Sequence, residues 1–120
     1  MPAATVLALW PDLMFATKIT EAAGRLGVTA SVAQTPDDLF THIATAAPAL
    51  IIVDLEMPGL AVADVVSRVR AGVPEAMLVG VGTHTDPAPR AQAQAAGAQM
   101  VMVRSDFAKQ LLALLTKYGS

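Results

Sequence analysis

The apolar residues of this chain alternate between two patterns. Short runs with no polar interruption are separated by longer stretches in which apolar positions recur every three or four residues. The clearest run is Ala49-Leu50-Ile51-Ile52-Val53-Asp54, which ends at Leu55-Glu56-Met57-Pro58-Gly59. An unbroken β-branched run predicts a strand buried on both faces, as in a parallel sheet covered by helices. Four further strands are predicted over 5–9, 28–33, 76–81 and 99–103. Between them the helical spacing predicts five helices. The first covers 13–26, with Asp12 as its cap, Gly27 as its stop and Leu13, Ala16, Ile19, Thr20, Ala23 and Leu26 on the inward face. The second starts at Thr35-Pro36-Asp37-Asp38 and runs to about residue 46, turning Leu39, Ile43 and Ala46 or Ala47 inward. The third covers 61–70 with the stripe Val62, Val65, Val66 and Val69, and the fourth covers 89–96. The fifth covers 106–118, with Ser105 as cap and Phe107, Leu111, Leu114 and Leu115 facing inward. The fourth is mostly Ala and Gln and offers little bulk, so weak docking is expected of it.

Strand and helix thus alternate five times with short connections. That order predicts an α/β fold, a (βα)5 doubly wound three-layer sandwich whose strand C-termini share one end. Trp10, Pro11, Asp12, Asp54, Gly82, Thr83, His84, Arg104 and Ser105 all fall at that end, where open α/β sheets place their chemistry.

Composition narrows the picture. The 120 residues are 54% hydrophobic and 15% charged, which suits a compact core in one domain spanning 1–120. There is no cysteine, which excludes disulfides and thiolate metal sites. The net charge of −2 with no basic cluster argues against nucleic acid as a partner of this domain. No apolar run is long enough to span a membrane. Met1-Pro2-Ala3-Ala4-Thr5 lacks the basic start of a secretory signal, and a cytoplasmic location is expected.

The string Val53-Asp54-Leu55-Glu56-Met57-Pro58-Gly59, with Ala95-Ala96-Gly97-Ala98 before the fifth strand, resembles the receiver domain of two-component response regulators (CheY-like) over essentially the whole chain. The resemblance implies a five-stranded parallel sheet of order 2-1-3-4-5 and a role in signal transduction rather than as an enzyme. It also implies a phosphoacceptor aspartate, two acids after the first strand that hold magnesium, a hydroxyl after strand four and a lysine after strand five. Asp54 matches the phosphoacceptor. Trp10 and Pro11 stand at the acidic pair, with Asp12 one place late. Gly82 stands at the hydroxyl position with Thr83 beside it, Arg104 at the lysine, Ser105 at the proline that often follows, and Val101 at a common aromatic. Two carboxylates are thereby lost, so magnesium is left at best with Asp54 and Asp12. Arg104 is permanently charged and can grip a carboxylate.

The expectation is therefore a degenerate, or pseudo-, receiver: a phosphorylation-independent interaction module in which Arg104 pairs with Asp54 and no cofactor is needed. Its partner, bound through a face near helix four, strand five and helix five where the thinly anchored fourth helix can repack, would be another signalling protein, a histidine kinase or an output protein. A homodimer through the face of helix four, strand five and helix five is a further expectation. The alternative is a phosphorylatable single-domain response regulator, in which Asp54 takes phosphate from a histidine kinase and Asp12, or the Glu56 backbone carbonyl, helps a metal. A third reading, a small-ligand module holding an anion with Thr83, His84 and Arg104, has no nucleophile–base pair or phosphate cradle behind it. Trp10 reads as a plug for the missing acids or as an aromatic that stacks on a partner. Asp12 reads as a helix cap or a metal ligand. His84 and His42 read as solvated side chains. The chain given ends at Tyr118-Gly119-Ser120, so a signal is expected to pass to another protein or to the rest of a longer chain.

Overall fold

In the computed structural model, which describes residues 5–119, five strands and five helices alternate along the chain. They are β1 (Val6–Leu9), α1 (Leu13–Arg25), β2 (Ala30–Ala33), α2 (Pro36–Thr45), β3 (Leu50–Asp54), α3 (Val62–Gly72), β4 (Met77–Gly82), α4 (Ala88–Ala96), β5 (Met100–Val103) and α5 (Arg104–Tyr118). All strand pairs are parallel and the order is β2-β1-β3-β4-β5. This is the expected doubly wound sheet, with its switch point between β1 and β3.

Strand alternation divides the core in two. Val6, Ala8 and Trp10 of the first segment, Leu50 and Ile52 of β3, and Val79 and Val81 of β4 pack under α1 and α5. Leu7, Leu9, Ile51, Val53 and Leu78 pack under α2, α3 and α4. Because side chains alternate with period two, Asp54 follows Leu50 and Ile52 onto the α1–α5 side, the side that holds Trp10. β3 is buried along its whole length, as its β-branched run predicts. Gly80, on the opposite side, leaves room for Leu55: a Cβ there would lie 2.9 Å from Leu55 Cδ1 and 3.4 Å from Ala93 Cβ.

Several local expectations change. Val62, Val65, Val66 and Val69 are buried as expected, but α3 runs on to Gly72. In α1 the buried residues are Ala16, Ile19, Ala22 and Ala23, while Leu13, Thr20 and Leu26 are exposed. Small residues let α1 lie close to the sheet, and Leu13 and Leu26 fall at its ends, beyond the covered stretch. Asp12 caps α1, its Oδ1 accepting from Met14 N at 3.0 Å, and Gly27 closes it at φ +70°. Thr35 caps α2 by accepting from Asp38 N at 3.2 Å. Ile43 in α2 and Ala46 just beyond it are only partly buried, and Ala47 is exposed. Ser105 does not cap α5. β5 runs straight into the helix, Val103 occupies the cap position without a side-chain bond, and Ser105 lies within the first turn. Only Ala93 of α4 is buried, in keeping with its small side chains.

The end of the sheet opposite the strand C-termini is held by a polar clamp. Arg70 donates from Nε to Gly97 O at 3.2 Å and from Nη1 to the carbonyls of Val73, Pro74 and Ala76 at 3.3, 2.7 and 3.0 Å. Its Nη2 donates to Gln99 Oε1, which also accepts from Leu78 N at 2.9 Å. One guanidinium thus satisfies carbonyls of two loops that would otherwise lose partners on folding. Arg70→Ala is expected to lower stability by about 2–3 kcal/mol, read as a drop in the urea midpoint at unchanged m-value; a midpoint equal to wild type would show the clamp to be energetically idle.

Candidate functional site

The strand C-termini gather Trp10, Asp54 and Arg104 into one cluster. Asp54 ends β3 and is only 2% exposed, the one buried charged residue among those described. Both of its carboxylate oxygens are occupied. Oδ1 accepts from Glu56 N at 3.0 Å, an Asx turn that starts the following loop. Oδ2 accepts from Arg104 Nη2 at 3.0 Å. The loop then turns at Pro58-Gly59, closed by Leu60 N donating to Met57 O at 3.1 Å, with Gly59 at φ +75°. The Met57-Pro58-Gly59 string thus serves to return the chain into α3.

Arg104 is the first residue of α5, where the helix dipole disfavours a cation. Two contacts offset this. One is the Asp54 carboxylate; the other is the indole of Trp10, whose ring centroid lies 5.2 Å from Arg104 Cζ. Trp10 is fully buried and stacks on Phe15 of α1 at 5.0 Å and on Phe107 of α5 at 5.5 Å between centroids. Its Nε1 is buried without a hydrogen-bond partner. The aromatic body therefore fills the space between α1, α5 and the ends of β1 and β3, and the guanidinium spans from its face to Asp54.

The other expected site residues stay out of this cluster. Asp12 is exposed and occupied by its cap. Pro11 is half-buried and brings no polar side chain. The Thr83 hydroxyl is 3.1 Å from that of Thr85, and His84 and Ser105 are exposed. Gly82 is tightly lined: a Cβ would meet Arg90 Cγ at 3.0 Å and Glu56 Oε2 at 3.3 Å, so these side chains would have to give way to a larger residue. His42 pairs across the α2 surface with Asp38 at 3.7 Å. Two features escaped the sequence. Phe15 forms one wall of the Trp10 stack, and the Glu56 carboxylate, considered only for its backbone, turns its Oε2 into a buried position without a partner.

A divalent ion does not fit this donor set. Among the described residues no three His, Asp or Glu side chains converge. An oxygen-loving cation that keeps octahedral coordination needs more than Asp54, one oxygen of which is already bound by a guanidinium.

The architecture is that of response-regulator receiver domains. CheY4 of Vibrio cholerae, a chemotaxis response regulator, is similar over 95% of this chain and 97% of its own, at TM-score 0.80 and 22% identity. The receiver domain of NtrX from Brucella abortus is similar over 93% of this chain and 95% of its own, at TM-score 0.79 and 17% identity. A Burkholderia pseudomallei response regulator, solved with a phosphorylated aspartic acid, calcium ion and citrate, is similar over 95% of this chain and 69% of its own, at TM-score 0.78 and 16% identity. No protein-family model and no curated protein sequence matches the chain.

Removing either charge of the cluster has unequal consequences. Arg104→Ala leaves a buried carboxylate oxygen without a donor and is expected to cost about 1–3 kcal/mol. Asp54→Asn has one oxygen for two donors, Glu56 N and Arg104 Nη2, and so loses one hydrogen bond, but it leaves no buried charge unpaired and is expected to cost less than Arg104→Ala. Urea unfolding of both variants checks the ranking, and equal losses would contradict it.

Proposed function

We propose that this chain is a receiver-fold signalling module that binds a partner protein without being phosphorylated. The observation that supports the reading most directly is the pair formed by Asp54 and Arg104, 3.0 Å apart against the face of a buried Trp10. The reasoning is chemical. Attack of an aspartate oxygen on phosphorus requires a free lone pair, room for the incoming group and positive charge to offset the phosphoryl oxygens. Here each Asp54 oxygen accepts one hydrogen bond, from Glu56 N or from Arg104 Nη2, so a lone pair remains on each, but the carboxylate is already paired with a guanidinium that itself lies over the buried Trp10 ring. The arginine supplies charge, but it is consumed in the resting pair. Asp12 caps a helix instead of facing a cation, so a magnesium-free resting state is the simplest reading of these side chains.

The role proposed is that of a binding module in two-component-type signalling and not of an enzyme. The solved structures of similar fold are response regulators, and a signalling protein is the natural class of partner. The half-buried Met100, Val101, Met102 and Val103 of the edge strand β5, beside the thinly anchored α4, would suit a homodimer contact on that face.

The competing reading is phosphorylation of Asp54 by a histidine kinase. It draws support from the position of the carboxylate at the end of the central strand and from the phosphorylated aspartic acid of the Burkholderia pseudomallei protein. Intact-mass spectrometry after incubation with acetyl phosphate and magnesium separates the two. The expected spectrum is unchanged. An acid-labile gain of one phosphoryl group that disappears in Asp54→Asn would establish the competing reading instead.

A further inference from the structure

Positive charge is concentrated on the helices α1 and α5. Five of the chain's eight cationic side chains, Lys18, Arg25, Arg104, Lys109 and Lys117, belong to α1 and α5, which hold only Glu21 and Asp106 as acids. Of the eight other acids Asp12 caps α1 and Asp54 pairs with Arg104, and the remaining three cations make contacts elsewhere: Arg68 over the Phe40 ring at 3.9 Å, Arg70 in the carbonyl clamp, and Arg90 on Thr83 O at 3.2 Å. Lys18, Arg25 and Lys109 form no ion pair among the described residues, and Lys18 lies over the Phe15 ring at 5.8 Å. Around the α1–α5 cleft, cations therefore outnumber acids: Lys18, Arg25 and Lys109 stand against Glu21.

The exposed apolar side chains lie on the same layer. Among the described residues the exposed large hydrophobics are Leu13, Met14, Leu26 and Leu112, all on α1, at its C-terminal cap or on α5. Met14 is 83% and Leu112 48% exposed. Met14, Lys18, Glu21 and Arg25 follow one another at three- and four-residue spacing, so they form a single stripe of α1. Its Lys18, Glu21 and Arg25 line a cleft of about 380 Å³ between α1 and α5, floored by the buried Ala22 and Leu111 and edged on α5 by Lys109 and Leu112. From Met14 to Arg25 the stripe is roughly 16 Å long at 1.5 Å per residue, about three helical turns.

We infer that the α1–α5 cleft is a docking site for an acidic amphipathic segment of a partner protein. Apolar side chains of the segment would meet Met14 and Leu112, and its carboxylates would meet Lys18, Arg25 and Lys109. This rests on the interaction-module reading and gives it a surface and a partner chemistry. The choice of a protein segment follows from the shape, a narrow cleft with apolar residues at its edge and a single acid, Glu21, within it. The complementarity also fixes the sign of the partner: bringing acids against this layer is attractive, and basic segments are repelled.

Selection of a random helical peptide library displayed on phage against the full chain tests the inference. The library needs no assumption about the partner's sequence. Selected peptides are expected to be acidic, with apolar residues three or four apart. As synthetic peptides they are expected to bind Lys18→Glu/Lys109→Glu protein at least tenfold more weakly than wild type by fluorescence anisotropy, with affinity falling as salt is raised. Leu112→Ser is expected to weaken them without changing the salt dependence. These positions are exposed, and circular dichroism of the variants verifies that the fold is kept. Failure to enrich peptides, enrichment of basic or neutral ones, or equal binding to the charge-reversed protein would overturn the inference. So would self-association of the chain in sedimentation velocity that is lost in the same variants, which would assign the cleft to a second copy. Loss of these variants' binding to vesicles rich in phosphatidylglycerol, without peptide binding, would assign it to a lipid surface. The acetyl phosphate experiment reads Asp54 alone, so failure here and failure of the interaction-module reading are told apart.

Discussion

A carboxylate at the buried end of a strand has to find a charge partner or lose its own charge. In this chain the partner is Arg104, and much of the local structure follows from that pairing. Asp54 is delivered to the α1–α5 side of the sheet by strand alternation. Arg104 is delivered to it because β5 passes into α5 without a loop. A cation at a helix N-terminus and a carboxylate in the interior are each unfavourable alone, and together they offset one another. Trp10 completes the arrangement by giving the guanidinium an aromatic face to lie on and by filling the space beneath it.

The same cluster explains how a receiver architecture can persist with altered chemistry. The sheet, its order and the turn at Pro58-Gly59 depend on apolar packing and on one positive φ, and none of these requires an acidic pair after β1. At that point the chain packs Trp10, Phe15 and Phe107 on one another. The consequence is a site whose elements are joined through packed rings and one ion pair. Lys18, Arg25 and Lys109, which form no ion pair among the described residues, lie away from this cluster on α1 and α5.

Much of the fold was legible because each element carries its own pattern. The run Ile51-Ile52-Val53 marks a two-sided buried strand, and Val62, Val65, Val66 and Val69 mark one helix face. The exposure of Leu13 and Leu26 was not legible, since periodicity gives the direction of a face but not how far the sheet beneath it extends. Ser105 resembles a cap in sequence, yet the absence of a β5–α5 loop places it inside the helix. At the site, Asp54, Trp10 and Arg104 could be named from their places in the strand–helix order. The packing of Trp10 with Phe15 and Phe107 could not, because Phe107 comes from a helix nearly a hundred residues further along the chain. The clamp of Arg70 with Gln99 was likewise invisible, as its acceptors are mostly backbone carbonyls with no residue signature.

The central claim is that Asp54 is held by Arg104 and Trp10 in one arrangement that a phosphoryl group does not displace. The most direct measurement is a nuclear magnetic resonance titration of the full chain with beryllium fluoride and magnesium, which mimic a phosphoryl group on a carboxylate. The signals to follow are the Trp10 indole N–H and the Arg104 guanidinium. Both are predicted to stay in place through the titration. A saturable shift of both signals in wild type that is absent in Asp54→Asn would show that the pair opens to a phosphoryl mimic and would contradict the claim.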